Sequence, residues 1–516
     1  MGNVNKRESR KEHGDLFKRV IAQYRDRVEE KTARKARKQG KSTQQQQQYP
    51  QVDPYQKITA FCRKRPIFKH ELKKNEYDVV TVLPSHREIC VHDCRMKADL
   101  KPENAFVAHN LFGGFDTVFD ENATNDDVYA ITSKSLVEHV CLGGRGTCFM
   151  YGQTGSGKTY TMTSIQKRVC PDLFKLLDEM NESRIQVSVS IFEMAGDTCY
   201  DLLNRREKVH LRQDGQGKIH VRGARHYDCS DPQTLYHAIH KAMSLRHTEG
   251  TDVNSTSSRS HCFTRIFLKH PDKQHPETGE PVVYGHLTLV DLAGSERNED
   301  SMHHNAERRK ECAQINTSLM ALKNCVRMLS ENERAARNGQ PANNRIPYRD
   351  HKLTMLLKST FTGKDSKTVV IATCSPIPTD TEHTINTLKH VSMMNVYDLE
   401  SQKKYPKETV DHVKDLDDEE ADLKKKRLPL FAPSKWNHQQ TILWLSTVHG
   451  GKFKKFVDNF GSAIDGKQLM RFTKMRYTQC CDGHEKAGQI LRDCFLNEIE
   501  KYNIARKERQ KENMKK

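Results

Sequence analysis

Apolar positions along the chain fall into three zones with different rhythms. Near the start, Leu16, Phe17, Val20, Ile21, Tyr24 and Val28 recur at helical spacing within a polar stretch, which predicts an amphipathic helix. From about Gln56 to Leu399 the rhythm changes to short apolar runs separated by longer helical stretches. Ile58–Cys62, Thr147–Tyr151, Val187–Phe192, Leu287–Val290 and Thr368–Thr373 have strand length, and their alternation with helices predicts an α/β fold with a central sheet covered on both faces. Residues 401–433 are almost all charge, acidic at Asp415–Glu420 and basic at Lys424–Arg427, and Pro429 and Pro433 close a segment that reads as a linker. Apolar and aromatic residues return from Lys435 to Asn503, with both tryptophans, Trp436 and Trp444, and predict a small all-helical domain.

The 516 residues are too many for one hydrophobic core. The expected division is a basic, partly helical arm at 1–55, a main domain at 56–399, a charged linker at 400–433, the helical domain at 434–503 and a basic tail at 504–516. Residues 1–50 carry 14 Lys/Arg against 6 Asp/Glu, and Gln44–Gln48 reads as a flexible spacer. The whole chain has a formal net charge of +18, which favours a polyanionic partner without naming it: nucleic acid, anionic lipid and acidic protein filaments all qualify. No apolar run approaches the ~20 residues of a membrane span, and the start has no signal-peptide core. Met1-Gly2 resembles a myristoylation start, but Lys6 stands where Ser or Thr is required. Fifteen cysteines without a secretory signal point to free thiols in a reducing compartment, so the cytoplasm is expected. Cys90-Val-His92-Asp-Cys94 has the residue types of a zinc site but no second ligand pair at a familiar spacing, and reads as a strand with half-buried thiols.

One loop carries the chemistry. Gly152-Gln153-Thr154-Gly155-Ser156-Gly157-Lys158-Thr159 follows the strand-like run Thr147–Tyr151 and fits the P-loop pattern. Glycines let backbone N–H groups curl around phosphates, and the following helix turns its positive end toward them. Lys158 suits the β- and γ-phosphates, and the Thr159 hydroxyl suits Mg²⁺. Asn254–His261 is a hydroxyl-rich stretch with a single arginine, Arg259. Asp291-Leu-Ala-Gly294-Ser295-Glu296 ends the apolar run Leu287–Val290, where an acid can hold Mg²⁺ through water and a glycine N–H can report on a γ-phosphate.

With these segments in order, the chain resembles kinesin motor domains over roughly residues 56–398. Arg63-Lys-Arg65-Pro66, the P-loop running into Tyr160-Thr-Met162, Ser257-Ser-Arg-Ser-His261, Asp291–Glu296 and Ile346–Thr354 carry the likeness. The resemblance implies an ATP-hydrolysing, microtubule-dependent motor using ATP and Mg²⁺. It implies that Arg63, Pro66 and Tyr160 sandwich the adenine, and that Ser258, with Thr159, reaches Mg²⁺ or the γ-phosphate. It also implies that Ser257 positions the attacking water, that Arg259 pairs with Glu296 to close the site, and that Gly294 senses the γ-phosphate. Microtubule contacts are implied at Arg308, Arg309, Lys310, Lys323, Arg327, Arg345, Arg349 and Lys352.

Within the family the chain looks most like the kinesin-13 group, on Lys64-Arg-Pro66, Asn75–Val79, Thr147-Cys-Phe149 and Thr381–Thr387. That likeness implies depolymerisation at microtubule ends, at cytoskeletal places such as the spindle, the centriole or the base of a cilium. Two hallmarks depart from the group: its Lys-Val-Asp tip stands as Lys97-Ala98-Asp99, keeping both charges, and its Lys-Glu-Cys motif stands as Lys323-Asn324-Cys325. A walking kinesin, with no heptad neck to support it, and an ATPase-weak microtubule scaffold stay open as alternatives. A nucleic-acid-dependent P-loop ATPase is disfavoured because helicase-type motifs are missing, and a GTPase because no Asn-Lys-x-Asp sequence occurs. Trp436, Ile442, Trp444-Leu445, Phe453, Phe456, Phe460, Ile464-Asp-Gly466, Leu469, Phe472-Thr473, Gly488-x-x-Leu491 and Ile499 are spaced like a SAM domain, which implies self- or hetero-association.

Overall fold

The computed structural model describes the chain except residues 1–2, 39–48, 54–55, 98–103, 181, 183, 216, 218, 249–258, 275–278, 280, 297–305, 342–343, 364, 395–406, 414–431, 462 and 514–516. It divides into two compact units, Met1–Val413 and Lys414–Lys516. The glutamine run and the Ala98-Asp99 tip lie outside the described residues.

The larger unit is built on an eleven-stranded sheet. Its strands are β1 (Ile58–Lys64), β5 (Thr117–Phe119), β6 (Arg145–Tyr151), β7 (Gln186–Ala195), β8 (Thr198–Asp201), β9 (Glu207–Gln213), β10 (Ile219–Arg222), β11 (Tyr227–Cys229), β12 (His261–Gln274), β13 (Pro281–Asp291) and β14 (Ser366–Cys374). They run in the order β10-β9-β8-β7-β12-β13-β6-β14-β1-β5, with β11 on β7. From β13 to β5 neighbours are parallel, whereas β12 pairs antiparallel with both β7 and β13. Each of the five apolar runs predicted as a strand lies inside one.

Side chains of β6 alternate between two cores, as strand geometry requires. Cys148 and Met150 join a cluster with Met162, Ile165 and Val169 of helix α3 (Lys158–Glu179) and with Leu235, Ile239 and Ala242 of helix α4 (Pro232–Thr248). Tyr151 points the other way, and the Lys323 ammonium of helix α5 (Ala306–Arg337) lies 5.5 Å from its ring. The mixed sheet with helices on both faces is therefore the α/β fold expected from the pattern.

Where the fold departs from expectation is at its flanks. A second, antiparallel sheet runs β15-β4-β3-β2, from β2 (Val80–Val82), β3 (Ile89–Arg95), β4 (Phe106–Phe112) and β15 (Lys407–His412). β15 falls inside the segment read as a linker. It is an edge strand with mostly exposed residues, held by backbone pairing with β4 and not by burial, so its sequence shows no apolar run. The N-terminal arm is docked as well. It forms α1 (Asn3–Glu12) and α2 (Gly14–Lys38), and the amphipathic stripe buries Phe17, Val20 and Ile21. Arg10 is the fixing point. Its guanidinium bonds the Cys94 carbonyl at 3.0 Å, the Pro378 carbonyl at 3.1 Å, Asp93 at 2.7 Å and Glu382 of helix α6 (Thr381–Ser392) at 2.7 Å.

Cys90 and Cys94 are fully buried on β3, and all fifteen cysteines are free thiols. The smaller unit is all-helical among its described residues. Its core holds Leu445, Phe453, Phe456, Phe460, Ile464, Leu469, Tyr477, Leu491 and Phe495, with Trp436, Ile442, Trp444, Phe472 and Ile499 packed against it.

Candidate functional site

Parallel β-strands end in a crevice where loops converge, and here β6, β13 and β14 end together. Asp291 is opposite Met150 in register, and Ala372 opposite Tyr151, so the P-loop springs from between the two neighbouring strand ends. Gly152 packs against β14 so closely that a Cβ would fall 2.5 Å from the Thr373 carbonyl. Gly155 and Gly157 have φ of +77° and +103°, which only glycine adopts without strain, and α3 begins directly after them.

The loop is braced from behind. The Ser156 hydroxyl lies 2.7 Å from both the Gln153 carbonyl and the Thr373 hydroxyl. Arg65 donates to the Gly155 carbonyl at 2.8 Å while Glu71 and Ser375 hold its other nitrogens. Lys158 is buried and donates to the Gln153 carbonyl at 2.9 Å. Burial pulls its pKa below the usual lysine value, and the charges of Asp291 and Glu296 pull the other way.

Thr159 donates its hydroxyl to Asp291 Oδ2 at 2.8 Å, and the wholly buried Arg246 of α4 donates to the same oxygen at 2.8 Å. Asp291 Oδ1 is buried with no hydrogen-bond partner among the described residues. A hydroxyl oxygen beside an unsatisfied carboxylate oxygen is the hard donor set that Mg²⁺ takes, so these residues fit the ion. At Gly294 a Cβ would collide with the Glu296 carboxylate and fall 2.6 Å from Thr154 Oγ1, so those two side chains close over the glycine.

Of the two predicted switches, Ser257 and Ser258 lie outside the described residues. Arg259 and Glu296, expected to pair when the site closes over nucleotide, have other partners in this structure. Arg259 sits 3.3 Å from Glu311 of α5, and Glu296 accepts from the Thr154 amide at 3.0 Å and from the Thr154 hydroxyl. The physical reason is competition: an oriented P-loop amide is an anion site, and the nearby carboxylate occupies it.

Arg63 and Tyr160 do come together, with the guanidinium carbon 5.5 Å from the ring centroid. Arg63 is fixed by Thr161 at 3.0 Å, and the Tyr160 hydroxyl by Asn125 at 3.0 Å. Pro66 is exposed nearby in sequence, and Tyr160 is 65% exposed, so an open, flat face is on offer.

Sequence reasoning missed the link behind both switches. His261 Nδ1 accepts the Ala293 N–H at 3.1 Å, and its Nε2 lies 2.9 Å from the Ser318 hydroxyl of α5. Arg246 bridges Asp291 and the Ser260 carbonyl at 2.7 Å, and Ser260 donates to the buried Glu193 at 3.1 Å. Arg246 had a signal: with Leu235, Ile239 and Ala242 it falls on the apolar stripe of α4, where a charge needs a partner.

The residues implied as filament contacts are mixed. Lys97, Lys310, Arg327, Arg345, Arg349 and Lys352 are exposed. Arg308 and Arg309 are on α5, but their side chains lie outside the described residues, as does Asp99. Lys323 is less open than the exposed ones. It is half-buried, with its ammonium 5.5 Å from the Tyr151 ring centroid.

The family model for the kinesin motor domain matches residues 63–396. The chain belongs to the kinesin family. It is 38% identical over 334 residues to the diatom spindle kinesin-1 of Cylindrotheca fusiformis, covering 64% of this chain and 50% of that protein. It is 37% identical over 336 residues to the kinesin-like protein KIN-13B of Arabidopsis thaliana, covering 65% of this chain and 46% of that one. This kinesin chain thus spans about half the length of the curated relatives it matches. Among solved structures, a KIF14 dimer with AMP-PNP in complex with a microtubule matches at 29% identity and a TM-score of 0.54, covering 66% of this chain and 94% of that one. A fast kinesin matches at 28% identity and a TM-score of 0.53, covering 66% and 91%.

Proposed function

We propose that this kinesin hydrolyses ATP in the crevice above β6 and couples the cycle to microtubules, acting at their ends as a depolymerase. The observation that carries the ATPase reading is the convergence of Lys158 and Thr159 of the P-loop with Asp291 at the end of β13, whose Oδ1 is unsatisfied among the described residues. Arg63, Pro66 and Tyr160 offer the face for adenine, and the loop amides and Lys158 take the phosphates. Mg²⁺ would supply neutralisation of the phosphate charge there, and Thr159 and Asp291, with Ser258, are the residues that would hold it.

Glu296 is the moving part. A γ-phosphate competes with its carboxylate for the Thr154 amide, and displacement frees Glu296 to take Arg259 from Glu311. Gly294 then presents its N–H to the phosphate and Ser257 orients the attacking water. His261 and Ser318 pass the movement to α5, whose exposed Lys310 and Arg327, with Arg345, Arg349, Lys352 and the Lys97 tip, form the filament-facing set. A spindle kinesin and KIN-13 proteins among the relatives support a cytoskeletal, end-acting role.

Steady-state ATPase with and without microtubules tests this. Lys158→Ala is expected to abolish turnover, and Glu296→Ala to lower it by on the order of 10²-fold while retaining bound ATP. Wild-type rates in the second variant would overturn the closure step. The smaller unit we read as SAM-like, on its aromatic spacing and its own core.

A further inference from the structure

Away from the nucleotide crevice, the second sheet gathers three buried side chains with the chemistry of metal ligands. β3 and β4 pair with His92 directly opposite His109, and Cys90 lies two residues before His92 on the same face. The ligand atoms of Cys90, His92 and His109 all lie within 4.8 Å of one another. His92 Nδ1 is 2.7 Å from His109 Nδ1 and 3.8 Å from Cys90 Sγ. The outer nitrogens already have partners. His109 Nε2 is 3.1 Å from the Asp411 carboxylate on β15, and His92 Nε2 is 2.8 Å from the Thr81 hydroxyl on β2. Such outer contacts fix the tautomer and aim the inner lone pairs, as they do around histidine-bound metals. Tyr24 of α2 closes the cluster, with its ring centroid 4.4 Å from that of His109 and 4.9 Å from that of His92, and its hydroxyl bonds the Cys90 thiol.

We propose that Cys90, His92 and His109 bind a zinc ion that pins the N-terminal arm and β15 to the second sheet. One thiolate and two imidazoles are a zinc-type donor set, and the Tyr24 hydroxyl or a water completes four ligands. The two Nδ1 atoms share one proton, since Asp411 takes the His109 Nε2 proton. Zinc takes both Nδ1 lone pairs: the shared proton moves to His92 Nε2, where the Thr81 hydroxyl accepts it, and the Cys90 thiol proton leaves, so one proton is released for each ion bound. Two nitrogens on one tetrahedral zinc stand about 3.3 Å apart, so the histidine pair opens by roughly half an ångström. The ion, one thiolate and two neutral rings sum to one positive charge, which Asp411 faces. The sequence alone showed only Cys90-Val-His92-Asp-Cys94; the third ligand comes from the next strand, and Cys94 is not in the set.

The test uses the full chain, prepared without a metal-chelating tag and titrated with Zn²⁺ and Co²⁺. One equivalent of zinc and a thiolate-to-cobalt charge-transfer band are expected. Cys90→Ser and His109→Gln should each lose both while circular dichroism stays native, and Cys94→Ser should keep both. Asp411→Asn should weaken zinc binding by about 10- to 100-fold. Zinc should also slow protease cleavage within the arm in the wild type. A wild-type chain with no band, or a band that survives in folded Cys90→Ser, would overturn the site and leave adventitious binding at other thiols.

Discussion

His261 works only while neutral. Its Nδ1 accepts the Ala293 N–H, so a proton there would break the link beside Gly294. Burial, together with the charges of His351, Arg246 and Lys158, pushes its pKa down to about 3. The folded state therefore binds fewer protons than the unfolded chain between about pH 6.5 and pH 3. Stability from this site is complete above about pH 6.5 and is lost as pH falls toward 3. His92, lowered mainly by burial and then by His109, acts in the same direction. His261→Asn should cost about 1–3 kcal/mol at pH 7.5 through the lost hydrogen bonds. The variant's unfolding free energy should also fall less steeply from pH 7 to pH 5 in denaturant titrations. An unchanged pH slope would show that His261 does not carry the effect. At this scale the phosphate site was legible because its residues are contiguous: Gly152–Thr159 and Asp291–Glu296 are local patterns with local chemistry. Arg246, Glu193 and His261 were not, because the pairing of β12 with β7 and β13 and the packing of α4 on the sheet bring them together. The partners that Arg259 and Glu296 take in this structure were illegible for a related reason, since a residue pattern does not say which of two carboxylates an arginine takes.

At the scale of elements, the strands and the amphipathic arm helix could be read from periodicity, but what the arm helix lies on could not. Arg10 decides it by joining α1 to β3 and to α6. Breaking a buried ion pair by removing one partner costs about 3–5 kcal/mol, because the other charge is left uncompensated. Arg10→Ala should therefore release the arm, seen as faster proteolysis within α2 and a lower melting temperature. An arm that stays protected would place the docking energy in Phe17, Val20 and Ile21 instead. β15 escaped sequence reading because an edge strand needs only backbone partners, and Lys407–His412 offers one apolar residue, Val410, which is 43% exposed.

For the whole molecule, a net charge of +18 suits an acidic filament, and the motor fold supplies the nucleotide cycle that would gate contact with it. The helical unit beyond Val413 has its own core and exposes Leu443, Met470 and Met475, apolar side chains suited to association. Sedimentation of the full chain against a variant ending at residue 431 checks this: self-association should disappear with the unit, and a full-length monomer would leave only a different protein as partner. The most direct test of the end-acting motor is to image stabilised, fluorescent microtubules with the full chain and ATP. Shortening from the ends, abolished by Lys158→Ala, is the expected result. Filaments that glide at constant length, or that are decorated without any change, would contradict a depolymerase.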